Sequence, residues 1–210
     1  STGTAGAPVF RTAPPTPRIL YWVGGTGNWG DPARWSLASG GAGGEAMPTS
    51  LDDVIFNSLS NATAYTATIN TTARCKSINI TGPASGNVTL AGTGNLIVHD
   101  QLTFPTTGMT KTHSGEITLS GSGSGKVITT NGISLGSSQL NIRALPDAVW
   151  TLASAVISSS LNMNFGTLNT ANYNITGQYL SSTNYVLGVY TLNLGSSSIS
   201  LSGFNRPIDF

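Results

Sequence analysis

Residues able to do chemistry are scarce in this chain of 210 residues. His99 and His113 are its only histidines, and Cys75 is its only cysteine. Zinc needs paired cysteines or two histidines on one helical face; neither spacing occurs, so no metal site is expected. Acid–base catalysis needs two carboxylates, or a carboxylate and a histidine, held together with separated pKa values. Beyond residue 53 the acidic side chains are Asp100, Glu116, Asp147 and Asp209 alone. Asp100 and Glu116 lie 16 positions apart, and the adjacent Asp52 and Asp53 would point to opposite faces of a strand. The sequence therefore predicts no catalytic residue, no cofactor and no enzyme.

Other motifs are weighed the same way. Asp31, in GNWGDPARW, is a conceivable calcium ligand, but no calcium-loop pattern surrounds it, and Asp before Pro32 reads as a turn starter. GGTGNWG has the look of a dinucleotide loop without the βαβ unit that loop requires. His99, within LIVHD, is expected at solvent or a turn. Asn61, Asn79 and Asn174 each begin an Asn-x-Thr triplet, which Thr-rich strands produce by composition. Trp22, Trp29 and Trp35 are more informative, falling within 14 positions among glycines. Indole faces stack on sugars and anchor interfaces, which makes these three the candidate glycan or partner contacts. The same rings would cover the open end of a repeat array, a structural necessity that makes capping the preferred reading.

Composition limits the partners. Nine Lys and Arg against eight Asp and Glu leave a net charge of +1, without the basic clusters that phosphate neutralisation requires, so no nucleic acid is expected. No apolar run approaches the ~20 residues that span a bilayer. Charged residues are 8% of the chain, against ~25% in an ordinary domain. In their place stand 26 Ser, 28 Thr and 17 Asn, together 71 residues. A hydrophobic share of 39% argues for a packed core rather than disorder. With one cysteine, no disulfide within the chain can hold it.

The elements that must position any site are short strands. From Asp53 onward the sequence alternates apolar and polar residues in pieces bounded by Gly, Ser or Asn, such as SINITG, EITLSG and YTLNLG. Pro146 to Ile157 is the one stretch that also reads as a helix, with Asp147 as its cap. Longer spacing decides between these. Leu96/Val98, Ile117/Leu119, Leu140/Ile142 and Leu161/Met163 recur at 21, 23 and 21 residues. Ile80, Phe104, Val127, Trp150 and Tyr173 recur at 24, 23, 23 and 23, and Val88, Met109, Ile133 and Val156 at 21, 24 and 23. A shared period near 23 predicts an all-β fold, a single-stranded right-handed parallel β-helix whose coils stack like residues on like. It places Trp150 in a strand and demotes the helix. A β-sandwich, which alternates equally well, is the rival.

Residues 1–18 hold four prolines and read as an extended arm, 19–53 as a Trp/Gly-rich cap segment, and 54–210 as the solenoid. Ser1, with no leader after it, suggests a processed product or a fragment.

The block from Tyr21 to Phe56, YWVGGTGNWGDPARWSLASGGAGGEAMPTSLDDVIF, resembles a recurring segment of secreted bacterial surface proteins and tailed-phage virion proteins. There a Trp/Gly block ending in a Pro-Thr-Ser/Asp-Asp-Val phrase precedes a β-solenoid. YTLNLGSSSISLSG, Tyr190 to Gly203, is similar to the coils of phage fibre and tail-associated proteins. The likeness implies a structural, adhesive part of a phage virion: a fibre, tail-tip or capsid-surface protein. Its partners would be other virion subunits met through the arm, further copies in a homotrimer, and a cell-surface glycan. A secreted bacterial adhesin and a polysaccharide-degrading β-helix enzyme are the alternatives.

Overall fold

A computed structural model describes residues 16–182, 189–203 and 208–209. The chain winds into stacked parallel coils of about 23 residues, a β-solenoid with almost no helix. Each coil presents three faces. The first carries 73–75, 96–98, Ile117–Leu119, Gln139–Arg143, 160–163, Tyr179–Ser181 and Ile208–Asp209, each paired in parallel with the next. The second carries Ile19–Trp22, Asp53–Phe56, 77–80, 101–103, Lys126–Thr129, Val149–Leu152, 166–169 and Tyr190–Asn193. Three long strands, Ala73–Ile80, Leu96–Thr103 and Ser160–Asn169, bend round the corner and belong to both.

The third face is made of two ladders. One runs through Gly27–Asn28, Tyr65–Ile69, Val88–Gly92 and Met109–Lys111; the other runs through Val156–Ile157, Ile175–Gly177 and Ile199–Leu201. Between them Leu135 is buried and its N–H still bonds the Ile157 carbonyl, so the wall continues without a strand.

Alternation fixes the interior. On the first face Leu96, Ile117, Leu140 and Leu161 stack in register, as do Val98, Leu119, Ile142 and Met163, and all eight are buried. Burying each such side chain contributes roughly 1.5–3 kcal/mol, and main-chain bonds along the axis satisfy the backbone. This is the first expected column, reproduced rung by rung. The solenoid therefore replaces the sandwich alternative. Val149–Leu152 is a strand, as the period requires, and no helix forms over 146–157.

The second expected column holds only as far as Phe104. Val127 pairs with Gln101 and Thr151, and Trp150 pairs with Lys126 and Leu168. Tyr173 is 42% exposed beyond the end of its strand. The buried row is instead Val54, Ile78, Leu102, Ile128 and Leu152. The SGSGSG corner at 120–125 makes the step from Leu102 to Ile128 26 residues long. A fixed step of 23 then lands beside the buried position, and in a strand a slip of one residue turns a side chain to the other face. In the third column Val88 does pair with Met109, while Ile133 lies between the two ladders and only packs against the core.

The Trp-rich segment is more than a cap. Ile19–Trp22 pairs with Asp53–Phe56, and Gly27–Asn28 with Tyr65–Ile69, so residues 19–28 begin the first coil. Trp35–Ser36 then returns antiparallel to Ile19–Trp22 and covers the outer edge of that sheet. Asp31 starts a single 3-10 turn, Pro32–Arg34, its carboxylate accepting from the Ala33 N–H at 2.9 Å. Of the expected arm, residues 1–15 lie outside the described residues.

Coils pass closely at the corner between the third and first faces. A Cβ added to Gly94 would collide with the Thr71 carbonyl, and one added to Gly115 with the Gly94 carbonyl. Glycine is required there because backbone rests on backbone.

Candidate functional site

Trp22, Trp29 and Trp35 are brought together, but inside the molecule, at 0%, 1% and 0% exposure. Trp22 stacks on Phe56 at 5.3 Å between ring centroids and meets Trp35 edge-on at 5.1 Å; Trp29 meets Trp35 at 4.8 Å. Trp22 Nε1 donates to the Gly25 carbonyl and Trp35 Nε1 to the Trp29 carbonyl, both at 2.7 Å. Glycines in the loop let the rings lie under bare backbone. As sugar-stacking residues the three have no free face in this structure; their place is the plug of the first coil.

Beside the plug, Arg18 clamps Asp52. Arg18 Nε and Nη2 donate to the two carboxylate oxygens at 3.0 and 2.8 Å, and Thr49 adds its N–H and hydroxyl at 2.8 Å each. Asp52 is 1% exposed. Desolvation pushes its pKa up, but the Arg18 and Thr49 hydrogen bonds outweigh this and bring it to about 2. The arrangement fastens the 37–52 loop to the first strand. It is a staple, without a free carboxylate for chemistry.

A second polar cluster has the residue types of a nucleophile and base. Lys111 Nζ donates to Ser138 Oγ at 2.9 Å, to the His113 carbonyl at 2.6 Å and to the Leu135 carbonyl at 2.5 Å. Ser138 Oγ lies 3.3 Å from His113 Nδ1, and His113 Nε2 lies 2.6 Å from the Gly94 carbonyl. Ser138 and His113 are 0% and 1% exposed, so no substrate reaches the hydroxyl. Burial draws the Lys111 pKa down to about 8 and lowers that of His113. The cluster sits where the third face lacks a strand, and its hydrogen bonds replace the missing ladder. Nothing in the sequence announces it, since Lys111 and Ser138 are 27 residues apart and meet only through stacking.

The remaining reactive types are accounted for. His99, expected at solvent or a turn, lies half-buried within the strand Leu96–Thr103, its pKa lowered by desolvation and by Arg74 and Lys126. Cys75 is buried in the core, and burial pushes its thiol pKa well above the usual range. The seven acidic side chains from Asp31 to Asp147 each have a partner. Asp31 is near Arg34, Glu45 and Asp52 near Arg18, Asp53 near Lys76, Asp100 near Lys126 and Glu116 near Arg143, while Asp147 accepts from the Gly123 N–H. Among the described residues no group of three His, Cys, Asp or Glu is placed to hold a metal ion. Among the described residues no helix is long and apolar enough to cross a membrane.

Two hollows occur toward the C-terminal coils. The inner one, about 10 Å³ among Leu140, Leu161, Leu168, Ile175 and Leu180, is apolar and too small for a ligand. The outer one is an open groove of about 620 Å³ at the corner between the third and first faces. It is floored by Ser158, Ser159, Thr176 and Gln178 and walled by Ser137 and Ser202. Ser158 Oγ donates to the Ser138 carbonyl at 3.1 Å and Ser159 Oγ to the same carbonyl at 2.9 Å. The sequence reading missed this groove. Its one sequence signal is the short interval of 19 residues from Leu161 to Leu180, where earlier steps of that column take 21 or 23.

Comparison of the chain with protein-family models, with curated proteins and with solved structures gives no match.

Proposed function

We propose that this chain is a structural, adhesive component of a phage virion, such as a fibre, tail-tip or capsid-surface protein, and that it performs no catalysis. What supports the reading is the construction of the faces. Stacked coils make a stiff body whose outward side chains are largely hydroxyls and amides tied to one another along the axis. The half-buried Asn162 donates through Nδ2 to Oδ1 of the buried Asn141 at 2.7 Å, and Ser181 donates to Asn162 one coil further on. Asn172 and Asn174 accept from the Ser196 and Ser198 N–H groups at 3.0 and 2.9 Å. With few charges and many hydroxyls and amides, such faces suit short-range contact with a neighbouring subunit or a glycan rather than charge-steered encounter. The paired state of the described carboxylates supports the non-catalytic part. In this reading residues 1–18 reach other virion subunits, and three copies associate as a homotrimer.

Immunogold electron microscopy with antibody to the purified chain tests the assignment on particles and cells from the source culture. Label on tailed particles is the expected result. Label confined to bacterial envelopes would transfer the same rod to the adhesin alternative. Polysaccharide turnover by the purified chain would overturn the non-catalytic role.

A further inference from the structure

The outer groove arises from unequal corners. Leu135, Ser158, Gly177 and Leu201 occupy one column of the third face, aligned by the Leu135-to-Ile157 and Ser158-to-Thr176 main-chain bonds and by the Gly177–Leu201 pair. Leu140, Leu161, Leu180 and Ile208 occupy one column of the first face. From column to column the chain takes five residues at Leu135–Leu140 but only three at Ser158–Leu161 and at Gly177–Leu180. Two tight corners are therefore set back from the longer corner that precedes them. Four successive rungs at the usual parallel spacing span roughly 14 Å, enough for a short oligomer laid along the axis.

The lining selects by chemistry. None of the lining residues, Ser137, Ile157, Ser158, Ser159, Thr176, Gln178 and Ser202 among them, carries a charge, so the lining itself offers an anion no cation and a cation no carboxylate. A wholly apolar ligand would strip water from the serine and threonine hydroxyls without replacing its hydrogen bonds. Thr176 and Gln178 are exposed, and the Gln178 amide offers both donors and an acceptor. Ser158 and Ser159 spend their protons on main-chain carbonyls, which leaves their oxygens as acceptors. Ile157, 43% exposed, adds the one apolar patch. Alternating donors and acceptors around a small apolar surface match a ring bearing hydroxyls on one side and C–H groups on the other.

We infer that this groove binds a neutral oligosaccharide, with Gln178, Thr176 and Ser159 meeting its hydroxyls and Ile157 its C–H face. The inference rests on the adhesive reading and gives it a site away from the buried tryptophans. The test is an array of neutral and acidic oligosaccharides probed with the parent chain and with Thr176→Trp, Gln178→Ala and Thr110→Trp. Thr110 is also an exposed strand position, but lies on the other ladder of the third face. Thr176→Trp fills the groove, Gln178→Ala removes an amide, and the unfolding temperature of each variant is compared with that of the parent. Neutral glycan binding that falls at least tenfold in the first two variants and persists in Thr110→Trp is the expected result. If Thr176→Trp fails to fold, Gln178→Ala decides. Binding unchanged in both groove variants overturns the groove while leaving adhesion standing. Binding of acidic glycans alone, or of none, overturns the groove's ligand class, and the immunogold result then judges the virion reading separately.

Discussion

The first and the last described rungs of the solenoid are built differently. At the first rung Leu20 and Trp22 are fully buried under Trp29 and Trp35, an antiparallel strand covers the sheet edge, and Arg18 and Asp52 lock the covering loop. In the last described rungs Tyr190, Leu192, Ile199 and Leu201 are only partly buried against the core. The earlier end also holds most of the ion pairs, whereas 148–203 holds none of the charged residue types. An interior rung is covered by its neighbours, but an end rung needs a dedicated cover. Bulky rings and a folded-back loop supply it at one end.

The sharpest way to break this comparison is to remove the plug. Trp35→Ala should cost about 3–5 kcal/mol, the range for a large buried aromatic, read from the denaturant midpoint. Leu201→Ala at the other end should cost about 1 kcal/mol, because part of that side chain already meets water. Equal losses would erase the distinction between the ends.

Removing the staple should come next in size. Asp52→Ala leaves the Arg18 guanidinium without its main partner and unties the loop, at about 2–3 kcal/mol in the same titration. Acid should do the same gradually. The folded-state pKa of Asp52 is about 2 against 3.8 for the free group, so the folded protein holds fewer protons between those values. This contribution is complete above about pH 4 and is lost as pH falls through 2. Thermal melts from pH 5 to 2 should show the loss in the parent and a flatter profile in Asp52→Ala.

Lys111 gives an effect of the same sense at higher pH. Its folded pKa of about 8 lies below the free value of 10.5, so the unfolded chain holds more protons between them. Stability from this group rises as pH increases from about 8 to 10.5. Lys111→Met should remove that rise, seen as a difference between two melting-temperature profiles. Hydrogen exchange sharpens the contrast without mutation: amides of 190–193 and 199–201 should exchange faster than those of 53–56 and 77–80.

Much of the fold is legible in the sequence. Alternation, turn residues and the column from Leu96 to Leu161 identify stacked coils because identical environments recur each time the chain comes round. The second column fails after Phe104 because corners, unlike strands, tolerate insertions, and SGSGSG adds residues there without altering the strands beside it. The same freedom hides the groove, which is a difference between corner lengths rather than a motif.

The tryptophans show the boundary most clearly. Their number and their glycine neighbours are written in the chain, and both covering an end and meeting a sugar follow from that text. Only the fold turns all three inward, because the folded-back strand at Trp35–Ser36 and its loop cover the first described rung with these rings. Lys111, His113 and Ser138 likewise become a cluster only through stacking, since contacts across coils depend on which residues register face to face. The sequence by itself determines what repeats; the tertiary structure decides what lies beside what, because side-by-side placement sums every corner length along the way.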